Sequence, residues 1–444
     1  MPSITKEGNN FVYGTNKLTS LAEEFVKVNL FEYKPSNFTE VMLGTPQHVK
    51  ARYANAHENL INGVAKQDLY GINGFVKYEK MDMSKMEEGK PPRMIQHRSY
   101  EYIYLLKKHL LPIINNIKTN TNLFMNQEVH SYFTYGRNST DIASLICEHW
   151  ASFKNPIALC LDHSKFDGHV NLELLKLEQF VFNKLSNNNK HLKHLLSQQL
   201  KNKGKTSNGL KYTTRGCRMS GEYNTSIGNS ILNLLMLKSV FPSSKVVVNG
   251  DDSVVFLEYS DYKKLDIKRS MNLFSDFGMV TKLEQTANEL EEITFCQCNP
   301  VLIDGNYQMI RNPMRLLSRI QYTDLPIEQH TALIRSLAYA ELSLNQGVPV
   351  LQQFGNWLLN LVGTGKTIIK VISQSFPLLK FEIKNINNET RISFHKAFGI
   401  DVLEQKSLEK YFESGDRVPN SQNINSEINT FVSKYNEQFK NKIK

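Results

Sequence analysis

Cysteine is scarce and unpatterned in this sequence: five among 444 residues, at Cys147, Cys160, Cys217, Cys296 and Cys298. The count is odd, and no two cysteines are three positions apart. That argues against a disulfide framework and a structural zinc site, and it fits reduced thiols in a cytosolic protein. His191 with His194, and Cys296 with Cys298, lack the further ligands that zinc needs. Long apolar runs are also missing, so no stretch reads as a membrane-spanning helix. The opening residues, Met1 to Gly8, do not form a secretory signal. A role at a membrane would therefore call for another protein to bring the chain there. Internal repeats are lacking. Acidic charge is in deficit: 43 Asp and Glu face 53 Lys and Arg, a formal net charge of +10. An excess of that size favours a polyanionic partner, nucleic acid first, with a basic enzyme lacking such a partner as the even alternative. At 41% hydrophobic and 22% charged, the chain is an ordinary globular protein, long enough for two or three lobes.

What the sequence does hold is carboxylates at predicted strand ends. Gly250-Asp251-Asp252 lies between two apolar runs, Val246-Val247-Val248 and Ser253-Val254-Val255-Phe256. β-Branched residues around an Asn249-Gly250 turn signal predict a β-hairpin with both carboxylates at its tip. Such a tip suits a hard divalent cation. A second apolar run, Ile157 to Leu161, ends in Asp162. If the two strand ends lie side by side, Asp162 and Asp251 can share a pair of Mg²⁺ ions, the arrangement for joining nucleotides by two-metal chemistry. Asp167 follows five residues after Asp162 and can reach the same pocket.

Two further segments carry polar chemistry. Ser220-Gly221 predicts a flexible loop. Helical spacing then puts Thr225 and Asn229 on one face, a hydroxyl and an amide suited to a sugar hydroxyl. Upstream, Lys77, Lys80, Lys90, Arg93 and Arg98 can neutralise a triphosphate. Taken singly, each segment is as well read as a capped loop or a solvated charged face. Gly363-Thr364-Gly365-Lys366-Thr367 ends like a phosphate-binding loop, but Asn360 stands where the first glycine is required, so a turn is expected.

Around these segments the pattern predicts an amphipathic helix over Ser99–Ile117, interrupted near Pro112, and helices over Val170–Leu185, Ser226–Val240 and Asp261–Phe277. Ser186–Asn208 is rich in Asn and Lys and reads as an exposed basic loop or short helix. A short strand is expected near Ile293-Thr294-Phe295. From Pro313 the pattern is mostly helical, and the last thirty residues are polar, basic and prone to fray.

In this order the segments resemble viral RNA-dependent RNA polymerases, most closely the tombusvirus-like enzymes of positive-strand RNA viruses, with the flavivirus-like polymerases as wider relatives. Asp162-x₄-Asp167 resembles motif A, and Ser220-Gly221-x₃-Thr225-x₃-Asn229 resembles motif B. Gly250-Asp251-Asp252 is similar to motif C, and Lys282 falls where motif D carries a lysine. Phe295-Cys296-Gln297 with Pro300-Val301, and then Gln308 to Pro313, resemble the motif E region. Lys77-Tyr78-Glu79-Lys80 and Pro92 to Arg98 resemble motif F, with His97 where proline is more usual. The resemblance covers roughly residues 50–320.

It implies an α/β (α+β) right-hand fold of fingers, palm and thumb, the palm an antiparallel sheet with helices. Residues 1–154 would form fingers and fingertips, 155–310 the palm with a fingers insertion at about 176–214, and 311–444 the thumb. Asp162 and Asp251 would ligate Mg²⁺, for which Mn²⁺ can substitute, with Asp252 in support. Asp167, Thr225 and Asn229 would hold the ribose 2′-hydroxyl. Ser220 and Gly221 would touch template or nucleotide from a mobile loop. Arg93 and Arg98 would bind the triphosphate, with Lys77, Lys80 and Lys90 lining its entry, and Lys282 would act as general acid. The implied partners are an RNA template, nascent RNA, NTPs and a membrane-associated viral replicase protein, without DNA. The implied location is the host cytoplasm, at membrane-bound replication complexes. Family members often carry an upstream membrane-associated region, which this chain is expected to lack. Two other readings stay open at this point: a reverse transcriptase, and a basic RNA-binding or capsid-like protein without catalysis.

Overall fold

A computed structural model describes residues 10–64, 69–79, 89, 91–320, 323, 325–368 and 381–414, with side chains of 10–16 and 319–320 left aside. Lys80, Lys90 and the polar tail of the last thirty residues lie outside the described residues. The chain divides into two compact units. One runs to Arg137 and takes in Glu148–Asn288; the other joins Asn138–Cys147 to the chain from Glu289 onward.

The described strands are β1 (Ile72–Val76), β2 (Met94–His97), β3 (Leu123–Phe124), β4 (Gln127–Glu128), β5 (Pro156–His163), β6 (Lys201–Thr206), β7 (Lys211–Arg215), β8 (Lys245–Asn249), β9 (Asp252–Glu258), β10 (Thr281–Ala287), β11 (Cys298–Ile303) and β12 (Asn306–Arg311). In the first unit, four strands in the order β10-β5-β9-β8 form one sheet, antiparallel throughout. Its central strands β5 and β9 are buried along nearly their whole length, which is why they read as continuous apolar runs. The Thr225–Val240 helix packs against β8 and is buried from Ile227 to Ser239. A helix enclosed on all sides needs no polar face, so its few polar residues must each have a partner. A second sheet, β2-β1-β6-β7, is mixed: β1 runs parallel to β6, and the other pairs are antiparallel. The second unit has the β11–β12 hairpin, helices that include His330–Leu344 and Leu351–Val362, and a core with Trp357 and Phe412.

The α+β class and the β8–β9 hairpin hold as expected. Four local readings change. The Tyr100–Thr119 helix runs unbroken through Pro112. The carbonyl of Lys108, which proline leaves without its helical donor, accepts instead from the Ser36 N–H at 2.9 Å. In Ser186–Asn208 the short helix is there, Lys190–Ser197 capped by Asn189, but the lysine-rich remainder is strand β6 and not loop. Asp261–Phe277 is not one helix. The carboxylate of Asp266 accepts from Arg269 N–H at 2.9 Å and starts a new helix, Ile267–Leu273, which tightens before Gly278. The strand expected at Ile293–Phe295 reduces to one bridge, Phe295 with Cys298, because Cys296 and Gln297 turn sharply at φ 50° and 62°. Gly363–Thr367 is a loop that bends at Thr364 and Gly365. The Arg335 guanidinium clamps it by donating to the carbonyls of Val362, Gly363 and Lys366, each at 2.7 Å.

Candidate active site

Antiparallel pairing gathers the acidic residues. β5 pairs with β9 down to Leu161 opposite Ser253, and β9 pairs with β8 up to Asn249 opposite Asp252. Asp162, the next-to-last residue of β5, therefore lies beside the hairpin tip that carries Asp251. The tip is a two-residue connection, Gly250-Asp251, with Gly250 at φ 66°, the backbone that glycine takes at the first position of a primed turn. On the other side of β5, Lys282 of β10 lies directly opposite Asp162.

The buried helix holds the tip from behind. The Gly250 N–H donates to Ser230 Oγ at 2.7 Å. The Asn233 amide donates to the carbonyls of both Gly250 and Asp251, each at 3.1 Å. Asn233 Oδ1 lies 3.0 Å from His163 Nε2, and His163 Nδ1 lies 2.8 Å from Thr281 Oγ1. Burial lowers the His163 pKa to about 4, so the ring is neutral near pH 7, donates through Nε2 and accepts through Nδ1. Three strand ends are thus joined by one neutral network.

Solvent still reaches Asp251. The protein packed around the tip nevertheless desolvates its carboxyl and raises the pKa; Asp167 and Asp162 raise it further, and Arg93 opposes them. Asp167 sits in the first turn of Phe166–His169. Burial raises its pKa too, against the pull of Asn229 and Arg218. The Asn229 amide donates to Asp167 Oδ1 at 2.7 Å, and Arg218 Nε donates to Asn229 Oδ1 at 3.0 Å. Behind them, Arg218 pairs with Glu178, both completely enclosed. Gly228 makes room for that pair, since a Cβ there would stand 2.2 Å from Glu178 Oε1.

The structure brings Asp167 and Asn229 together as expected, but not Thr225, whose hydroxyl donates to the Met219 carbonyl at 2.9 Å. Ser220 and Gly221 are tied down. Gln96 N–H donates to Ser220 Oγ at 3.3 Å, and Gly221 N–H donates to the Gln96 carbonyl at 2.8 Å. Arg93 is exposed and bidentate to Glu79, at 2.6 Å for both bonds, with Lys77 on the same carboxylate at 3.3 Å. Arg98 does not fit its expected role. It is 1% exposed, bonded to Glu222 at 2.5 Å and to the Gln198 carbonyl at 3.1 Å. It also donates to the Tyr70 carbonyl and the Asn202 amide. A guanidinium so enclosed and paired braces the fold and cannot meet a triphosphate.

Glu178, Arg218, Ser230 and Asn233 escaped sequence reasoning. Glu178 did leave a signal: it stands on the apolar face formed by Leu174, Leu175 and Val181. An acid in that position needs a buried partner.

Among the described residues, no three carboxylate, imidazole or thiol groups converge tightly enough to enclose an ion by themselves. Burial does most to raise the Asp251 pKa, and Asp167 and Asp162 add to it; a divalent cation relieves repulsion of that kind. Mg²⁺ commonly takes one or two protein carboxylates and fills its shell with water and phosphate oxygens. The residues present fit an ion shared with a nucleotide.

The sequence also matches known proteins. Residues 14–417 match the family model described as viral RNA dependent RNA polymerase. The chain is 31% identical to the RNA-directed RNA polymerase of oat chlorotic stunt virus, over 86% of this chain and 54% of that protein. It is 32% identical to that of tobacco necrosis virus, over 77% and 49%, and 30% identical to that of carnation mottle virus, over 80% and 48%. The chain thus spans about half the length of these curated relatives. With an acidic strand end, an acidic hairpin tip and the Asp167–Asn229 pair all inside the matched span, this chain belongs to the viral RNA-dependent RNA polymerase family.

Proposed function

We propose that this chain copies an RNA template into RNA, adding NTPs to an RNA 3′ end. The observation that carries the reading is the meeting of Asp162 and Asp251 at adjacent strand ends, with Asp167 bonded to Asn229 beside them. Dependence on a divalent metal comes with the family. Asp162 and Asp251 would hold Mg²⁺, or Mn²⁺ in its place, with Asp252 in support. Bound there, the ions would acidify the primer 3′-hydroxyl and neutralise the departing pyrophosphate.

The chain's own residues supply the rest. Arg93, exposed and held by Glu79, would turn to the triphosphate with Lys77 beside it; Lys80 and Lys90 lie in the same stretch of sequence. Asp167 and Asn229 would read the 2′-hydroxyl, with Thr225 close by in sequence. A site built to bond a hydroxyl rejects the analogue lacking it, because its polar groups are left unpaired. Ser220 and Gly221 would touch template or nucleotide from a loop braced by β2. Lys282, opposite Asp162, would give a proton to the leaving pyrophosphate. On this reading the four-stranded antiparallel sheet is the palm, within 155–310; residues 1–154 and about 176–214 make the fingers, and 311–444 the thumb. The partners would be template and nascent RNA and a membrane-associated replicase protein that recruits the chain in the host cytoplasm. No helix among the described residues is long and apolar enough to cross a membrane. Neither the reverse-transcriptase reading nor the non-catalytic one is supported by the relatives.

The test is incorporation of labelled NTPs on a single-stranded RNA template with Mg²⁺ or Mn²⁺. Product should form from NTPs, not dNTPs, and Asp251→Ala should abolish it while the fold remains. Synthesis by the variant would overturn the assignment of the metal site.

A further inference from the structure

A buried polar cluster stands behind the Asp167–Asn229 pair, and Arg218 touches both members of that pair. Its backbone N–H donates to the Asp167 carbonyl at 2.9 Å, and its Nε donates to Asn229 Oδ1 at 3.0 Å. The rest of the guanidinium is taken up by Glu178: Nη1 donates to Oε1 at 3.2 Å and Nη2 to Oε2. Glu178 Oε1 also accepts from the Asn224 amide at 2.7 Å, and Asn224 Oδ1 accepts from the Gln199 amide at 3.0 Å. Glu178, Gln199, Arg218, Asn224 and Asn229 are all buried.

Two observations give this cluster a role beyond cohesion. A buried ion pair is a weak source of stability, and well-packed apolar residues in its place are often as stable or more so. Asn224 occupies the N-cap of the Thr225–Val240 helix, where asparagine ordinarily accepts from the helix's own N–H groups. It makes no such bond and serves Glu178 instead.

The chemistry of Arg218 fixes the polarity of Asn229. A guanidinium only donates, so the amide atom facing it is the oxygen, and the NH₂ group faces Asp167. Asp167 is thereby an acceptor with capacity left on its carboxylate, and Asn229 keeps a second hydrogen to give. A hydroxyl is donor and acceptor at once, and such a pair matches both halves of it. Were the amide free to turn, its oxygen could face the carboxylate, and the match would be lost.

We propose that Arg218 and Glu178 are positioning residues for ribose selection: by locking the Asn229 amide in one orientation, they set the preference for NTP over 2′-deoxy-NTP. That role rests on the reading proposed above, in which Asp167 and Asn229 meet the 2′-hydroxyl. Arg218 and Glu178 act on the nucleotide only through Asn229. Gly228 belongs to the same device. A Cβ there would stand 2.2 Å from Glu178 Oε1 and 2.9 Å from Arg218 Nη2, so the helix must stay bare where the pair lies.

The test compares an NTP with its 2′-deoxy analogue on the full chain, by addition of one nucleotide to a primed RNA template. Both substrates meet the same protein sample, so the ratio of their kcat/KM values does not depend on how much of a variant is folded. Arg218→Lys keeps the buried charge pair but replaces the planar fork by a single ammonium. Gly228→Ala keeps every polar group but displaces the pair. In each variant, kcat/KM for NTP should fall at least about tenfold further than that for dNTP, the scale of one charge-assisted hydrogen bond. A purely structural pair predicts equal falls for the two substrates, and that result would overturn the positioning role. Asn229→Ala tells the two readings apart. If it removes the preference while Arg218→Lys and Gly228→Ala leave it intact, the 2′-hydroxyl reading stands and the positioning role fails. If Asn229→Ala also leaves the preference intact, both fall. Calorimetric binding of GTP and dGTP to the same proteins gives the ratio without turnover, so the pair is tested even in a chain that copies no RNA.

Discussion

Asn233 holds its place by geometry alone: its amide spans the carbonyls of Gly250 and Asp251, and its oxygen faces His163. It is a positioning residue, since it touches the backbone of the tip and none of the reacting groups. Asn233→Leu should lower kcat about 100-fold, the scale of a misplacement near 1 Å, with little change in the KM for NTP. Steady-state incorporation separates the two constants, and an unchanged kcat would dismiss the role. The two arginines of the upstream basic segment should behave in opposite ways. Arg98→Ala takes the ion-pair partner from the enclosed Glu222, and should cost about 3–5 kcal/mol of stability. Arg93→Ala should leave the melting temperature near the wild-type value and raise the KM for NTP. Thermal melts and NTP titrations of both variants check the distinction. The sequence puts both arginines in one basic segment and suggests one role for the two. The side chains are identical, and only tertiary packing decides which one meets solvent.

Among the elements, the most legible were those whose two faces are both buried. β5, β8, β9 and the Thr225–Val240 helix declare themselves by unbroken apolar character. β6 and β7 do not. Lys-Asn-Lys-Gly-Lys has poor strand propensity, and it becomes a strand because Asn202 and Gly204 fit against Arg98 and Tyr212. The Ser220-Gly221 loop was expected to be mobile, since glycine signals freedom. Here glycine serves closeness instead: a Cβ on Gly221 would stand 2.7 Å from His97 Cβ and 2.8 Å from the Gln96 carbonyl. Gly221→Ala should therefore push the loop from β2, costing about 1–3 kcal/mol as overpacking does and lowering incorporation with it. Denaturant titration alongside an incorporation assay checks this. A fully stable, fully active variant would show that the loop has the freedom first expected of it.

Over the whole molecule, the sequence made the class and the acidic centre legible, because both rest on local runs of residues. It did not show the division into two units, in which Asn138–Cys147 joins the distant C-terminal part; no local pattern marks such an exchange. Nor did it show how many histidines are buried. In the first unit, His109 packs beneath Tyr33, whose hydroxyl lies 2.9 Å from its Nδ1. Burial, with help from Lys108 and His191, lowers its pKa to about 4. His149 is also lowered to about 4, chiefly by burial, and its Nδ1 has no hydrogen-bond partner. The unfolded value is about 6.5. Above pH 6.5 both states hold these rings neutral, and stability is unaffected. Between pH 6.5 and 4 the unfolded chain takes up protons that the folded chain refuses, so stability falls as pH falls. Each histidine contributes a slope approaching about 1.4 kcal/mol per pH unit. The raised carboxyls of Asp167, Glu222 and Asp251 act in the opposite sense, since the folded state holds their protons more tightly. Single variants separate the two effects. His109→Gln and His149→Gln should each flatten the loss of stability between pH 6.5 and 4 by about one proton, whatever they do to stability at pH 7. Denaturant titrations at pH 7, 6 and 5 measure that slope directly. Slopes equal to that of the wild type would mean that both rings take up protons as readily in the folded chain as in the unfolded one.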